Sequence, residues 1–283
     1  WGWYFDGEGY DYGSSSENWP DWLSGFEEEL PNVEHLIVIP LPDGNFDIPI
    51  LDGDNRYIRE IWQFDANGNL KAIIRCSWNA AASVYEVTSV SHYLIRNGKN
   101  VRDQLGSKPM VQYTDIYQYD GVTGGFDVHR YYGEVDYLTV NPMTRETGKL
   151  AIYQYRGNVG HEKLTTCNIL NTDGRTVLGT IHYNATTGLA ESVSLVGETE
   201  SFLEFGYAFD SRGNILEMHV SFPQEPGREM EVHTGLVDPI DVFLDARIPL
   251  VVRNFLTTLK SKFGPEYNAN ILPQANGTFQ ILV

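Results

Sequence analysis

The chain has 283 residues, is 13% aromatic, with 17 Tyr, 13 Phe and 6 Trp, and carries a formal net charge of −18. A field of that sign repels phosphate backbones and anionic lipid, so nucleic acid and acidic membrane surfaces are set aside as partners. No run approaches the roughly twenty apolar residues of a membrane-spanning helix, and Cys76 and Cys167 are too far apart in sequence for a zinc motif.

The first twenty-two residues hold Trp1, Trp3, Tyr4, Phe5, Tyr10, Tyr12, Trp19 and Trp22 among Gly, Ser, Asp and Glu. That density is too high for a solvated linker, so residues 1–32 read as an aromatic, acidic arm that packs on something. Asp21 is a candidate cap for a short helix to Leu30. The chain starts at Trp1 rather than Met and is expected to be a processed product, with room for a lipid anchor upstream. Residues 33–283 read as a single β-rich domain.

Residues 33–41 are an apolar, strand-like run. The next segment, Asp43 to Asp54, offers Asp43, Asn45 and Asp47 at the 1-3-5 spacing of a calcium loop, with Asp54 at position twelve. Ile48 stands where such a loop needs Gly, and two plain turns, Asp43-Gly44 and Asp52-Gly53, explain the same letters. Calcium is the one cofactor the sequence suggests.

From Tyr57 to Val237 the pattern is strand after strand, near 57–64, 70–77, 84–95, 111–119, 125–132, 135–140, 149–156, 162–170, 175–183, 189–196, 201–209, 214–222 and 229–236. A recurring phrase punctuates them: an apolar residue, Asp or Asn, two or three residues, Gly, then a new apolar run. Phe64-Asp65-Ala66-Asn67-Gly68-Asn69-Leu70 and Phe209-Asp210-Ser211-Arg212-Gly213-Asn214-Ile215 are nearly the same sentence. Leu170 to Gly174 keeps the spacing, and Tyr119 to Gly124 and Tyr183 to Gly188 stretch it by one. The Asx side chain starts a turn by bonding the backbone two residues on, and Gly takes the positive φ that a short hairpin loop requires. The fold class is therefore mostly β: an antiparallel meander of hairpins, as a curved sheet, sandwich or barrel.

One helix is expected near 248–262. Pro249 would sit in its first turn, Val252, Phe255, Leu256 and Leu259 on one face, and Gly264-Pro265 at its stop. A terminal strand follows at 278–283.

The three better copies of the phrase, at 64–70, 183–189 and 209–215, resemble the tyrosine-aspartate (YD, RHS-like) repeats of bacterial surface proteins and the hairpin repeats of exported lipoproteins. The resemblance spans roughly residues 57–222. It implies an exported scaffold at a bacterial surface, in the periplasm or outside the cell, and transfers no catalytic residue.

The seven histidines form no ligand pattern, and no nucleophile elbow, Walker loop or dinucleotide fingerprint is present. Tyr117 with Tyr119, and Tyr153 with Tyr155, share a face at period two. With Trp19 and Trp22 they are the candidate ring platform for a sugar, against the plainer reading of cross-strand aromatic ladders. The functional expectation is an exported, non-enzymatic binding or scaffold protein with a protein or glycan ligand. The alternative is a secreted carbohydrate-active enzyme with paired carboxylates.

Overall fold

A computed structural model describes residues 10–11, 23, 26, 36–52, 56–81, 83–103, 106, 108–120, 125–157, 161–225, 227–248, 258, 261, 270–273 and 279–282. The chain is mostly β and antiparallel, and it divides into two compact units, Trp1–Leu189 and Ala190–Val283. The sequence reading places no boundary at that point.

The first unit contains β1 (Tyr10–Asp11), β2 (Ile37–Pro40), β3 (Phe46–Leu51), β4 (Ile58–Phe64), β5 (Leu70–Asn79) and β6 (Val84–Tyr93). After a small hairpin of β7 (Ile95–Arg96) and β8 (Lys99–Asn100) come β9 (Val111–Tyr119), β10 (Phe126–Tyr132), β11 (Lys149–Arg156), β12 (Lys163–Leu170) and β13 (Val177–Tyr183). Strands pair in chain order except that β6 pairs with β9, so the β7–β8 hairpin is an excursion from the sheet. Asn100 ties that excursion back: its Nδ2 donates to the Leu70 carbonyl at 2.8 Å and its Oδ1 accepts from Leu70 N at 2.8 Å.

The recurring phrase does the turn-making expected of it. Asp65 Oδ1 accepts from the backbone N–H groups of Asn67 and Asn69 at 2.9 and 2.8 Å, and Asp210 Oδ1 accepts from Arg212 and Asn214 at 2.8 Å each. Gly68 and Gly213 close the two loops at φ +78° and +83°.

Two predicted elements need correction. The 43–54 segment is not a loop, because Phe46–Leu51 is β3, paired with β4 along its length. Pro49 obscured it in the sequence. The β2 pairing ends at Asp47, so the missing N–H of Pro49 removes no bond from that ladder. Residues 135–140 are not a strand either. Asp136 receives Leu138 N at 3.0 Å and Thr139 Oγ1 at 2.9 Å, and Asn141 receives Met143 N at 2.9 Å. These local bonds compete with a ladder and fold 133–148 into a strap of turns.

One face of β3 to β5 buries Ile48, Ile50, Trp62, Phe64, Leu70 and Ile73 against Leu23, Phe26, Leu36 and Val38. Phe26 meets Phe64 edge-on at 5.1 Å. On the same face further along, Ile116 and Tyr131 pack under Val135, Tyr137 and Val140 of the strap.

The second unit contains β14 (Ala190–Leu195), β15 (Ser201–Phe209), β16 (Ile215–Ser221) and β17 (Glu231–Thr234), paired in order, and a separate hairpin of β18 (Asn270–Pro273) and β19 (Phe279–Leu282). Its helix, α1, is described over 239–248, and residues 258 and 261 are also helical. It therefore starts about ten residues before the expected site. Asp238 caps it, accepting from Ile240 N at 2.9 Å, and Pro239 rather than Pro249 fills the first helical position. Val242, Phe243 and Ala246 are buried, with Phe243 edge-on to Phe202 of β15 at 6.1 Å.

Candidate functional site

The cross-strand register brings the four candidate tyrosines together. Tyr117 lies opposite Val128, which lies opposite Tyr153; Tyr119 lies opposite Phe126, which lies opposite Tyr155. Since side chains alternate across a pleated strand, all four rings point to one face of three adjacent strands. Phe126 is the hub. Its ring stacks on Tyr155 at 4.5 Å and 14°, and lies 5.2 Å from Tyr119 and 5.6 Å from Tyr117. Sequence reasoning missed Phe126 because it sits alone after a turn, with no aromatic partner at period two.

The band extends through residues that no candidate list included. Trp78 on β5 lies opposite Tyr85 on β6, their rings 5.0 Å apart, and Tyr57 stacks on Trp78 at 5.5 Å and 18°. The Tyr85 hydroxyl accepts from Ile58 N at 3.1 Å, and the Tyr119 hydroxyl accepts from Val87 N at 3.1 Å. That second bond carries the band from β6 to β9. Tyr57, Trp78 and Tyr119 remain 40%, 36% and 39% exposed. They are the members a ligand can reach, whereas Phe126 is at their base.

Beside the band stands a buried ion cluster. Asp115 on β9 is opposite Arg130 on β10, and the guanidinium grips the carboxylate through Nε and Nη2 at 2.8 and 2.9 Å. His92 Nε2 meets the second carboxylate oxygen at 3.0 Å. The guanidinium lies 5.2 Å from the Tyr113 ring and 4.9 Å from the Tyr153 ring. Burial alone would raise the Asp115 carboxyl, but the hydrogen bonds from Arg130 and then His92 outweigh it and hold it below its ordinary value. Burial, with the nearby Asp115 charge second, pushes the Tyr117 and Tyr155 hydroxyls up, and burial pushes Tyr119 up to about 12. All three are neutral hydroxyls at physiological pH.

A paired-carboxylate mechanism needs one acid held protonated and another ionised within about 10 Å. Asp47 is the acid raised by burial, with Gln63 Nε2 donating to it at 3.2 Å. The lowered, buried acid is Asp115. Asp47 on β3 and Asp115 on β9 are four strand spacings apart in the sheet order, about 19 Å along the sheet. Asp115 also has both oxygens engaged. This pair therefore does not make a glycosidase site.

Of the suggested calcium ligands, Asp43 accepts from Asn45 N at 3.1 Å and from Asn45 Nδ2 at 2.6 Å, as in a turn closed by its own side chains. Asp47 is buried in β3, and Asp54 lies outside the described residues. Among the described residues no three His, Cys, Asp or Glu side chains cluster as metal ligands. Trp19 and Trp22 also lie outside the described residues. Cys76 and Cys167 are not joined by a disulfide: they lie on β5 and β12, five strand spacings or about 24 Å apart along the sheet.

No family model matches the chain, and no curated protein matches it. Among solved structures it is similar to a porin-like protein from Bacteroides uniformis ATCC 8492, at 12% identity and a TM-score of 0.25, covering 71% of this chain and 72% of that one. A likeness that slight carries no inference about this protein. Among the described residues no helix is long and apolar enough to cross a membrane.

Proposed function

We propose that the protein is an exported, non-enzymatic binding protein that holds a neutral glycan on the aromatic band of its first unit. The observation that carries this reading is the open end of the band, where Tyr57 and Trp78 stack on each other and each keeps more than a third of its surface in solvent. Rings with an apolar body and a polar tip suit a ligand that offers a flat C–H face and a rim of hydroxyls. The polar neighbours fit such a rim: Asn79 Nδ2 donates to Glu86 Oε1 at 2.7 Å beside Trp78, and Glu86 and Glu162 both act on the Tyr119 hydroxyl. A net charge of −18 disfavours acidic polysaccharides, so the ligand class is uncharged.

Export and a place at a bacterial surface remain part of the proposal, supported by the likeness of the turn phrase to YD-type repeats. The binding reading is tested by affinity electrophoresis through gels containing soluble neutral polysaccharides. Retardation by at least one neutral polymer, lost in Trp78→Ala, is the expected result. Equal mobility of wild type and variant in every neutral polymer contradicts the reading.

A further inference from the structure

On the face opposite the aromatic band, polar atoms of three side chains are buried without a partner. Ser89 Oγ, Gln118 Oε1 and both ring nitrogens of His129 are shut off from solvent and make no hydrogen bond. They are neighbours. Ser89 on β6 lies opposite Ile116 on β9, Ile116 lies opposite His129 on β10, and Gln118 is two residues along β9 on the same face. Buried polar groups are nearly always paired, so three together are a local store of unfavourable free energy.

The strap 133–148 packs on this row. Its Val135, Tyr137 and Val140 lie on Ile116 and Tyr131, which are the cross-strand and same-strand neighbours of His129. Polar contacts tie its ends. Thr114 Oγ1 donates to Gly133 O at 2.7 Å, and Lys149 Nζ donates to Pro142 O at 2.7 Å. Arg75 lies over the Tyr137 ring at 5.0 Å while donating to Ser91 at 2.9 Å.

We propose that the strap is an acid-released cover and that His129 is its trigger. With the strap packed on its neighbours Ile116 and Tyr131, His129 is only 3% exposed and its ring nitrogens have no hydrogen-bond partner. The charged and titratable groups around it do not offer one. Lys149 comes from β11, Arg145 and Glu146 from the strap, Arg75 from β5, and Asp127 and Tyr131 from its own strand; Glu146 is paired with Arg175. On β6 and β9 the same face presents Ser89, Ser91, Thr114, Ile116 and Gln118, none of which titrates near neutrality. Burial first, and Lys149 second, push the His129 imidazole down to about 4, with Asp127 opposing. A base whose closed-state value lies below its open-state value favours opening as pH falls. Cover closure is therefore complete above about pH 6.5 and lost progressively towards pH 4. The interval between 6.5 and about 4 corresponds to a change of up to about 300-fold in the ratio of open to closed strap.

Hydrogen exchange of the full chain from pH 7 to pH 4, corrected for intrinsic rates, tests this. Strap amides are expected to lose protection steeply below pH 6 while the β4–β5 amides keep theirs. In His129→Phe the strap should stay protected down to pH 4. His129→Gln, which keeps a neutral polar side chain of similar length, should do the same and serves if the first variant does not fold. Strap protection that is flat with pH in the wild type, or an equal acid loss in the His129 variant that folds, would overturn the proposal.

Discussion

Replacing Asp115 by Asn keeps the shape of the side chain and removes its charge. In the wild type, both carboxylate oxygens are engaged, by Arg130 at 2.8 and 2.9 Å and by His92 at 3.0 Å. The amide retains one acceptor and turns a donor towards a guanidinium that can only donate. Arg130 is left mostly buried with half its partner, though the Tyr113 and Tyr153 rings at 5.2 and 4.9 Å still shield it. Breaking one side of a buried pair costs about 3–5 kcal/mol, and retained contacts of the guanidinium with the rings place this case near the lower end, about 3 kcal/mol. For a unit of this size that corresponds to a fall of roughly 6–12 °C in Tm. Urea unfolding at pH 7, followed by tyrosine and tryptophan fluorescence, gives the loss directly. The sign with pH also follows. The Asp115 carboxyl is held below its ordinary value, so its stabilisation is present above about pH 4 and is lost as pH falls through the lower folded value. The variant should therefore approach the wild type in strong acid. A loss below about 1 kcal/mol at pH 7 would refute the view that this cluster anchors the centre of the sheet, since exposed pairs reach only that value.

Phe126→Ala removes the hub that Tyr117, Tyr119 and Tyr155 share, and should cost about 3–5 kcal/mol by urea unfolding. Gly174→Ala forces a Cβ against the Glu146 carbonyl at a residue with φ +66°, so a clear fall in Tm by circular dichroism is expected. Asp210→Ala removes the side-chain oxygen that closes the 209–215 turn on exposed backbone, and should lower the urea midpoint slightly without altering hydrogen-exchange protection in β4 and β5.

The meander was legible in the sequence because its signals are local. Asp65 and Asp210 each close a turn with bonds reaching no more than four residues, and the strands between alternate with period two. The same-face pairing of Tyr117 with Tyr119 and Tyr153 with Tyr155 was legible for the same reason. That the two pairs flank one phenylalanine was not, because it depends on the register of β9, β10 and β11. Asp115, Arg130 and His92 come from three strands and announce nothing at short range. Strand β3 was hidden by Pro49 and Asp47. The 135–140 run looked like a strand because its apolar spacing is right, but Asp136 and Asn141 drew the backbone into turns. The helix was anticipated from Pro249 and the apolar face after it, while its actual start depends on Asp238 and Pro239, an equally good cap ten residues earlier.

The central claim is that the exposed end of the aromatic band binds a neutral glycan. A glycan array probed side by side with wild type, a Tyr57→Ala/Trp78→Ala variant and the Asp210→Ala variant of the second unit tests it most directly. Binding of uncharged glycans by wild type and Asp210→Ala, with loss in the double aromatic variant and unchanged far-ultraviolet circular dichroism, is the predicted result. Binding that survives loss of both rings, or silence of the wild type on every uncharged glycan, would contradict the account.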